Sequence, residues 1–242
     1  MSGVPAGALA QLRISALTPV SLVTSYLSPV ALAIVVISLY GHLTGALVAG
    51  TIAAAAWNTL LIQAYMIVNQ ERAWGTLQQH ACTPAGVTPW LVGRLLGALL
   101  QALLTIPLIG GLVLATGGAV HLGPWKILLV NGAIICASLI GIAVLHMTLA
   151  IRYRWYSALI NAIFPLTIVL MGLFARIDRL PAAVGAIGHL FAPTWAMEAI
   201  RRSSWSPALT ALWMSLLTAL GAVAYLTRVQ RWLRTSSDAY HR

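Results

Sequence analysis

Asn69-Gln-Glu-Arg-Ala-Trp-Gly-Thr-Leu-Gln-Gln-His-Ala-Cys-Thr-Pro84 is a short polar island in a chain that is otherwise close to continuous hydrocarbon. The whole protein has only four acidic residues, and one of them, Glu71, stands here beside Arg72. Apolar runs over roughly 45–68 and 90–116 flank the island, each long enough to cross a bilayer. A polar stretch this short between two such runs turns at the membrane surface, so the sequence predicts a helical elbow over 69–89. Elbows of this kind are where a membrane protein touches a soluble partner.

Composition places the chain in the same class. Apolar residues make up 60% of it and charged residues 7%, against roughly a quarter charged in a soluble domain. So few charges cannot clothe a water-facing surface, and the expected fold is an all-α polytopic membrane protein forming a single transmembrane domain over 1–242. The net charge of +10 is spread thinly, dense only at Arg228, Arg231 and Arg234. That distribution excludes a nucleic-acid stripe and marks the basic residues as topology determinants. Cys82 falls in the elbow and Cys136 in an apolar run, so neither a disulfide nor a metal-binding spacing is expected.

Six stretches have the length and apolarity of a span: roughly 20–41, 45–68, 90–116, 125–150, 156–175 and 207–227. Thr88-Pro89 and Ser206-Pro207 set a hydroxyl cap before a proline at the first helical position, and Gly123-Pro124 plays a similar part. Residues 1–19 read as an interfacial segment, helical over 6–16, and 228–242 as a basic tail. With both termini in the cytoplasm, nine basic residues lie inside (Arg13, Arg72, Arg94, Arg152, Arg154, Arg228, Arg231, Arg234, Arg242). Five lie outside: Lys126, Arg176, Arg179, Arg201 and Arg202. A seventh span over 180–200 would level that bias and would bury Pro181, His189, Pro193 and Glu198. Residues 176–206 are therefore expected to form an external loop whose short helices dip back among the spans. Within it, 192–202 reads as a helix with Pro193 in its first turn and Glu198 on one face with Arg201 and Arg202. Pro193, Trp195, Glu198 and Arg201 are candidates for an external gate, a self-satisfied surface helix being the plainer alternative.

The missing chemistry narrows the function. The only lysine, Lys126, precedes isoleucine, so the chain has no phosphate-binding loop. Glu71, Asp178, Glu198 and Asp238 all fall in loops, the external helix or the tail, which disfavours an ion-coupled pump. The six histidines are scattered; no metal ligands and no catalytic residues are expected, and His146 reads as a packed or hydrogen-bonded histidine. Gly93 and Gly97, like Gly41 and Gly45, have helix-contact spacing. Asn58, Gln63, Gln101, Asn131 and Asn161 lie inside spans, where an amide faces protein or a water-filled path. Tyr26, Trp57, Asn58, Gln63 and Asn161 are thus pathway candidates, with helix–helix hydrogen bonding as the alternative; Tyr65 is a further aromatic that could line such a path.

The segment Glu71-Arg72-Ala-Trp-Gly75-Thr76-Leu77, ending at Thr83-Pro84, resembles the Glu-Arg-x-x-Gly-Thr-Leu…Ser/Thr-Pro signature of type-2 ATP-binding-cassette exporter permeases. The later segment from Ala192 to Arg201 resembles that family's second signature, and the six-span layout matches it along nearly the whole chain. The drug- and antibiotic-exporting branch, of the daunorubicin-exporter kind, is the nearest in character. Gln78 departs from a common Glu, and Trp74 from a common polar residue. The resemblance implies a permease in a bacterial cytoplasmic membrane that pairs with itself or a sister subunit and binds two copies of a separate ATPase. ATP and magnesium would belong to that ATPase, with no cofactor on this chain. The elbow would be the coupling helix, with Glu71, Arg72, Trp74, Gly75, Thr76 and Leu77 meeting the ATPase, and an amphiphilic cargo would leave along the dimer interface. An unenergised module, such as a scramblase or immunity protein, and a membrane enzyme acting on lipid are the other classes open to these residues.

Overall fold

A computed structural model describes residues 3–18, 23–40, 44–83, 86–115 and 123–235. Pro84, Gly41, His42, His121, Asp238, His241 and Arg242 lie outside them. The structure is 88% helical, with no strands among the described residues. The helices run α1 (Gly3–Leu17), α2 (Ser28–Tyr40), α3 (Gly45–Ala73), α4 (Thr76–Cys82), α5 (Val87–Leu103) and α6 (Thr105–Ala115). They continue with α7 (Trp125–Arg152), α8 (Ile160–Leu170), α9 (Ala182–Gly188), α10 (Ala192–Arg202) and α11 (Ser206–Thr235).

Four helices among the described residues are long and apolar enough to cross a membrane: α3, α5 continued to Leu112, α7 and α11. Together with the composition they make this a membrane protein. The predicted first and fifth spans take a different form. The described part of the first is a wide turn over Val23–Leu27 followed by α2. The fifth is a 3₁₀ stretch over Arg154–Leu159 that runs directly into the eleven residues of α8, together rising roughly 28 Å, close to the hydrocarbon thickness. The third predicted span breaks at Leu104. Pro107 lacks an N–H and its ring crowds the carbonyl four residues back, at Leu103, so the helix restarts as α6.

The core is built where α3, α5, α7, α10 and α11 meet, around Trp57, Leu60, Leu95, Leu139 and Met147. Two close approaches explain its glycines. On α5, a Cβ at Gly93 would lie 2.2 Å from the Val4 carbonyl oxygen, and one at Gly97 would lie 2.6 Å from that of Ala8. Gly7 of α1 answers them, 2.5 Å by the same measure from the Trp90 carbonyl. The interfacial segment expected at the N-terminus is thus a full helix locked along α5, backbone against backbone. Gly93 and Gly97 have the helix-contact role that their spacing suggested.

Caps differ in detail from the sequence expectation. The α5 helix starts at Val87 behind Gly86, and the Thr88 hydroxyl turns away to donate to Gln230 Oε1 at 2.9 Å. At α11 the helix does begin at Ser206-Pro207. Thr44, which the sequence reading passed over, caps α3 by accepting from the Leu47 N–H at 3.2 Å.

Candidate functional site: the elbow and the charge pair beneath it

The elbow is sharper than 69–89 suggested, because α3 runs unbroken through Asn69, Glu71 and Arg72 to Ala73. Only Trp74 and Gly75 make the turn before α4 begins. Gly75 sits at φ 67°, a left-handed conformation that ends a helix readily in glycine. A Cβ there would meet nothing within 4 Å, so the demand for glycine comes from backbone angle and not from a close approach.

Glu71 occupies the last turn of α3 and is 1% exposed. It is therefore no surface charge, and the expectation that it reaches outward to a partner's charges gives way to a different geometry. Arg94, fully buried on α5, donates from Nη1 to Glu71 Oε1 at 2.6 Å. The Trp90 indole N–H donates to the same oxygen at 2.9 Å, and the Thr76 hydroxyl donates to Oε2 at 2.5 Å. His80 of α4 stands 3.8 Å from Oε2 and stacks on the Trp90 ring at 4.7 Å. Each face of the Arg94 guanidinium finds an oxygen. Nη2 donates to Gln70 Oε1 at 2.6 Å and Nε donates to Gln11 Oε1 at 3.0 Å. Gln11 then donates from its amide to Gln63 Oε1 at 2.9 Å and to Ser15 at 3.0 Å.

Burying two charges is costly unless they are paired and their remaining sites are filled. Here the pair is saturated by groups from α1, α3, α4 and α5, which ties four elements into one polar knot. The rest of the elbow is pinned from its other sides. Arg72 donates from Nη2 to the carbonyls of Ala150 and Ile151 at 2.9 and 2.8 Å, where cationic groups suit the C-terminal end of α7. Arg234 of α11 donates to the carbonyls of Ala81 and Thr83, at 2.5 and 3.1 Å. Leu77 is buried beneath α4, whereas Trp74 is 55% exposed. The outward face of the elbow is thus Ala73, Trp74, Gly75, Gln79, Cys82 and Thr83.

Sequence reasoning missed Arg94, Gln11, Gln70, Trp90, His80 and Arg234. One signal was present: an arginine a single turn inside an apolar span, with one carboxylate on the same side of the membrane.

The predicted gate helix forms as α10, over Ala192–Arg202. Glu198 pairs with Arg202 one turn on, while Arg201 donates to the Gly172 carbonyl at 2.5 Å. Trp195 donates from its indole to the His189 carbonyl at 2.9 Å, and buried Thr194 donates to the Gly188 carbonyl at 2.8 Å. Pro193 is buried in the first turn. These bonds staple α10 to the end of α8 and to α9. The staple lies at the end of the bundle remote from the elbow, since the Leu173 carbonyl there presses on Gly50, near the start of α3. Nearby, two N–H groups of exposed Arg176 bond Asp178 and hold its carboxyl below the ordinary range.

Of the pathway candidates, three make helix–helix hydrogen bonds. Trp57 is fully buried and donates to the Thr167 hydroxyl at 2.6 Å. Asn58 donates to Ser28 at 3.0 Å, and Gln63 belongs to the polar knot. Tyr26 is half-buried beside an apolar hollow lined by Val23, Leu27 and Val30. Asn161 lies in the first turn of α8. His146 bonds the Tyr156 hydroxyl and faces the Trp57 ring at 5.4 Å. Among the described residues, no three of His, Cys, Asp and Glu come together. No protein-family model matches the chain, and no curated protein does.

Proposed function

We propose that the chain is the membrane permease of an ATP-driven exporter, with six spans, both termini cytoplasmic and the Trp74–Thr83 elbow on the cytoplasmic face. The observation that carries this reading is the anchoring of the elbow. A surface turn with no binding role needs no buried ion pair, yet this one is tied inward to α1, α3, α5, α7 and α11. The resemblance of Glu71–Leu77 and Ala192–Arg201 to the two exporter signatures points the same way.

The mechanism follows from stiffness. A push on α4 is not absorbed at the elbow, because Thr76 and His80 bear on Glu71, and Glu71 bears on Arg94 and through it on Gln11. Displacement passes to the long helices as a unit. In this reading Trp74 is the contact residue, its ring centre 5.9 Å from the Arg94 guanidinium carbon, and Glu71 transmits from within. The ATPase closes on bound ATP and magnesium, the elbow moves, and an amphiphilic cargo such as a drug, antibiotic, peptide or lipid is released outward between two permease copies.

The test is co-expression with an ATPase encoded beside this chain, purification through a tag on the permease, and assay of the eluate. Trp74→Ala should remove most of the bound ATPase. The double variant Glu71→Gln/Arg94→Gln, which orphans no buried charge, should retain it but lose stimulation of hydrolysis by cargo. A dimeric permease that never captures an ATPase would overturn the proposal in favour of an unenergised module.

A further inference from the structure

A groove of about 560 Å³ runs between α3, the junction of α5 and α6, and α7. Ile52 and Ala56 line it from α3, Leu103 and Ile106 from the junction, and Ala133 and Cys136 from α7. No side-chain nitrogen or oxygen belongs to its lining. In a bilayer such a space holds hydrocarbon, but lipid tails are as apolar as leucine, so the groove alone selects nothing. Selection has to come from its polar end.

That end is on α7. The lining residues Leu129, Ala133, Cys136 and Ile140 recur at steps of three and four, one stripe of the helix. Lys126 stands three residues before Leu129 and extends the stripe by one turn, to the start of the helix. It is exposed, it is the only lysine in the chain, and its ammonium lies 5.8 Å from the centre of the Trp125 ring. An indole and an ammonium together suit the depth of lipid headgroups. Pro124, at the N-cap, has no polar side chain, and its carbonyl takes the Ile127 and Leu128 N–H groups, so the pull on an anion here is that of the Lys126 charge and the helix end.

From this arrangement we infer that the groove is a resident lipid site with headgroup preference. One acyl chain lies along the α7 stripe, and an anionic phospholipid headgroup meets Lys126 at the first turn of α7. The site is at the end of the bundle opposite the elbow, because Arg72 closes the other end of α7. It requires only that the helices lie in a bilayer, so it stands or falls separately from export.

Gly132 makes a clean test possible. It lines the groove, and a Cβ built there meets nothing within 4 Å, so Gly132→Leu projects a branched side chain into the path of the acyl chain without strain and favours the helix. The delipidated full chain would receive equal amounts of palmitoyl-oleoyl phosphatidylglycerol and phosphatidylcholine, with bound lipid read by native mass spectrometry. Wild type should hold one lipid per chain and prefer the anionic one about fivefold, the effect of one basic residue near the surface. Lys126→Gln should keep the lipid and lose the preference. Gly132→Leu should lose both lipids with its unfolding temperature held or raised. In a Cys82→Ser background, phosphatidylglycerol should also slow labelling of Cys136 by an apolar maleimide. Equal retention of both lipids by wild type, unchanged binding in Gly132→Leu, or unprotected Cys136 would each overturn the inference.

Discussion

Arg94 is the residue on which the structure beneath the elbow turns, and its effect is testable by removing either half of the pair. Arg94→Met leaves a buried carboxylate and Glu71→Leu leaves a buried guanidinium, so each should destabilise the protein by about 3–5 kcal/mol. The double variant leaves no orphan charge and should recover much of that loss. Thermal unfolding of the three variants in one detergent checks this, and additive losses would refute the pairing. Gly75→Ala places a Cβ in a left-handed turn and should cost about 1–2 kcal/mol. Trp57→Phe removes one buried hydrogen bond to Thr167, for a loss of about 1 kcal/mol. If the chain exports as proposed, Trp57→Phe should leave the transport rate unaltered, since that indole faces a neighbouring helix. A transport defect without a stability change would instead return Trp57 to the pathway.

At the scale of elements, α1 is held to α5 by backbone contact at Gly7, Gly93 and Gly97, with Gln11 as its polar bolt. Gly93→Val puts side-chain carbon where the Val4 carbonyl now lies. Expected is release of α1 while α3, α7 and α11 stay folded, seen as faster amide exchange over Gly3–Leu17 with protection elsewhere unchanged. The sequence showed that a helix exists near 6–16 and that Gly93 and Gly97 have contact spacing. It did not show that each was the other's partner, because pairing between separated segments leaves no mark on local periodicity. The same holds for the runs at α2 and α8, which read as plain α-helices but include a wide turn and a 3₁₀ stretch. Hydropathy counts residues suited to lipid, but Pro107 and the packing of neighbours decide how many of them form continuous α-helix.

Over the whole molecule, the elbow and the α10 staple mark opposite ends of one bundle. Cys82 is exposed on the elbow and Cys136 is half-buried on a span. With the elbow on the cytoplasmic face, as proposed, an impermeant maleimide should label Cys82 in inside-out vesicles and leave it unlabelled in intact cells. Labelling of Cys82 from outside would invert the proposed topology and remove the elbow from reach of any ATPase.

The sequence by itself determined the membrane class, the place of the elbow and the helix at Ala192–Arg202. Each of these is a local property, written in hydropathy, helix-terminating residues and i, i+4 charge spacing. Tertiary structure alone decided that Glu71 faces inward and Trp74 outward. The partners that turn Glu71 around lie far along the chain: Arg94 is 23 residues away from it, and Gln11 is 83 from Arg94. In hydrocarbon a carboxylate goes wherever its charge can be matched, and only the folded bundle brings that match to it.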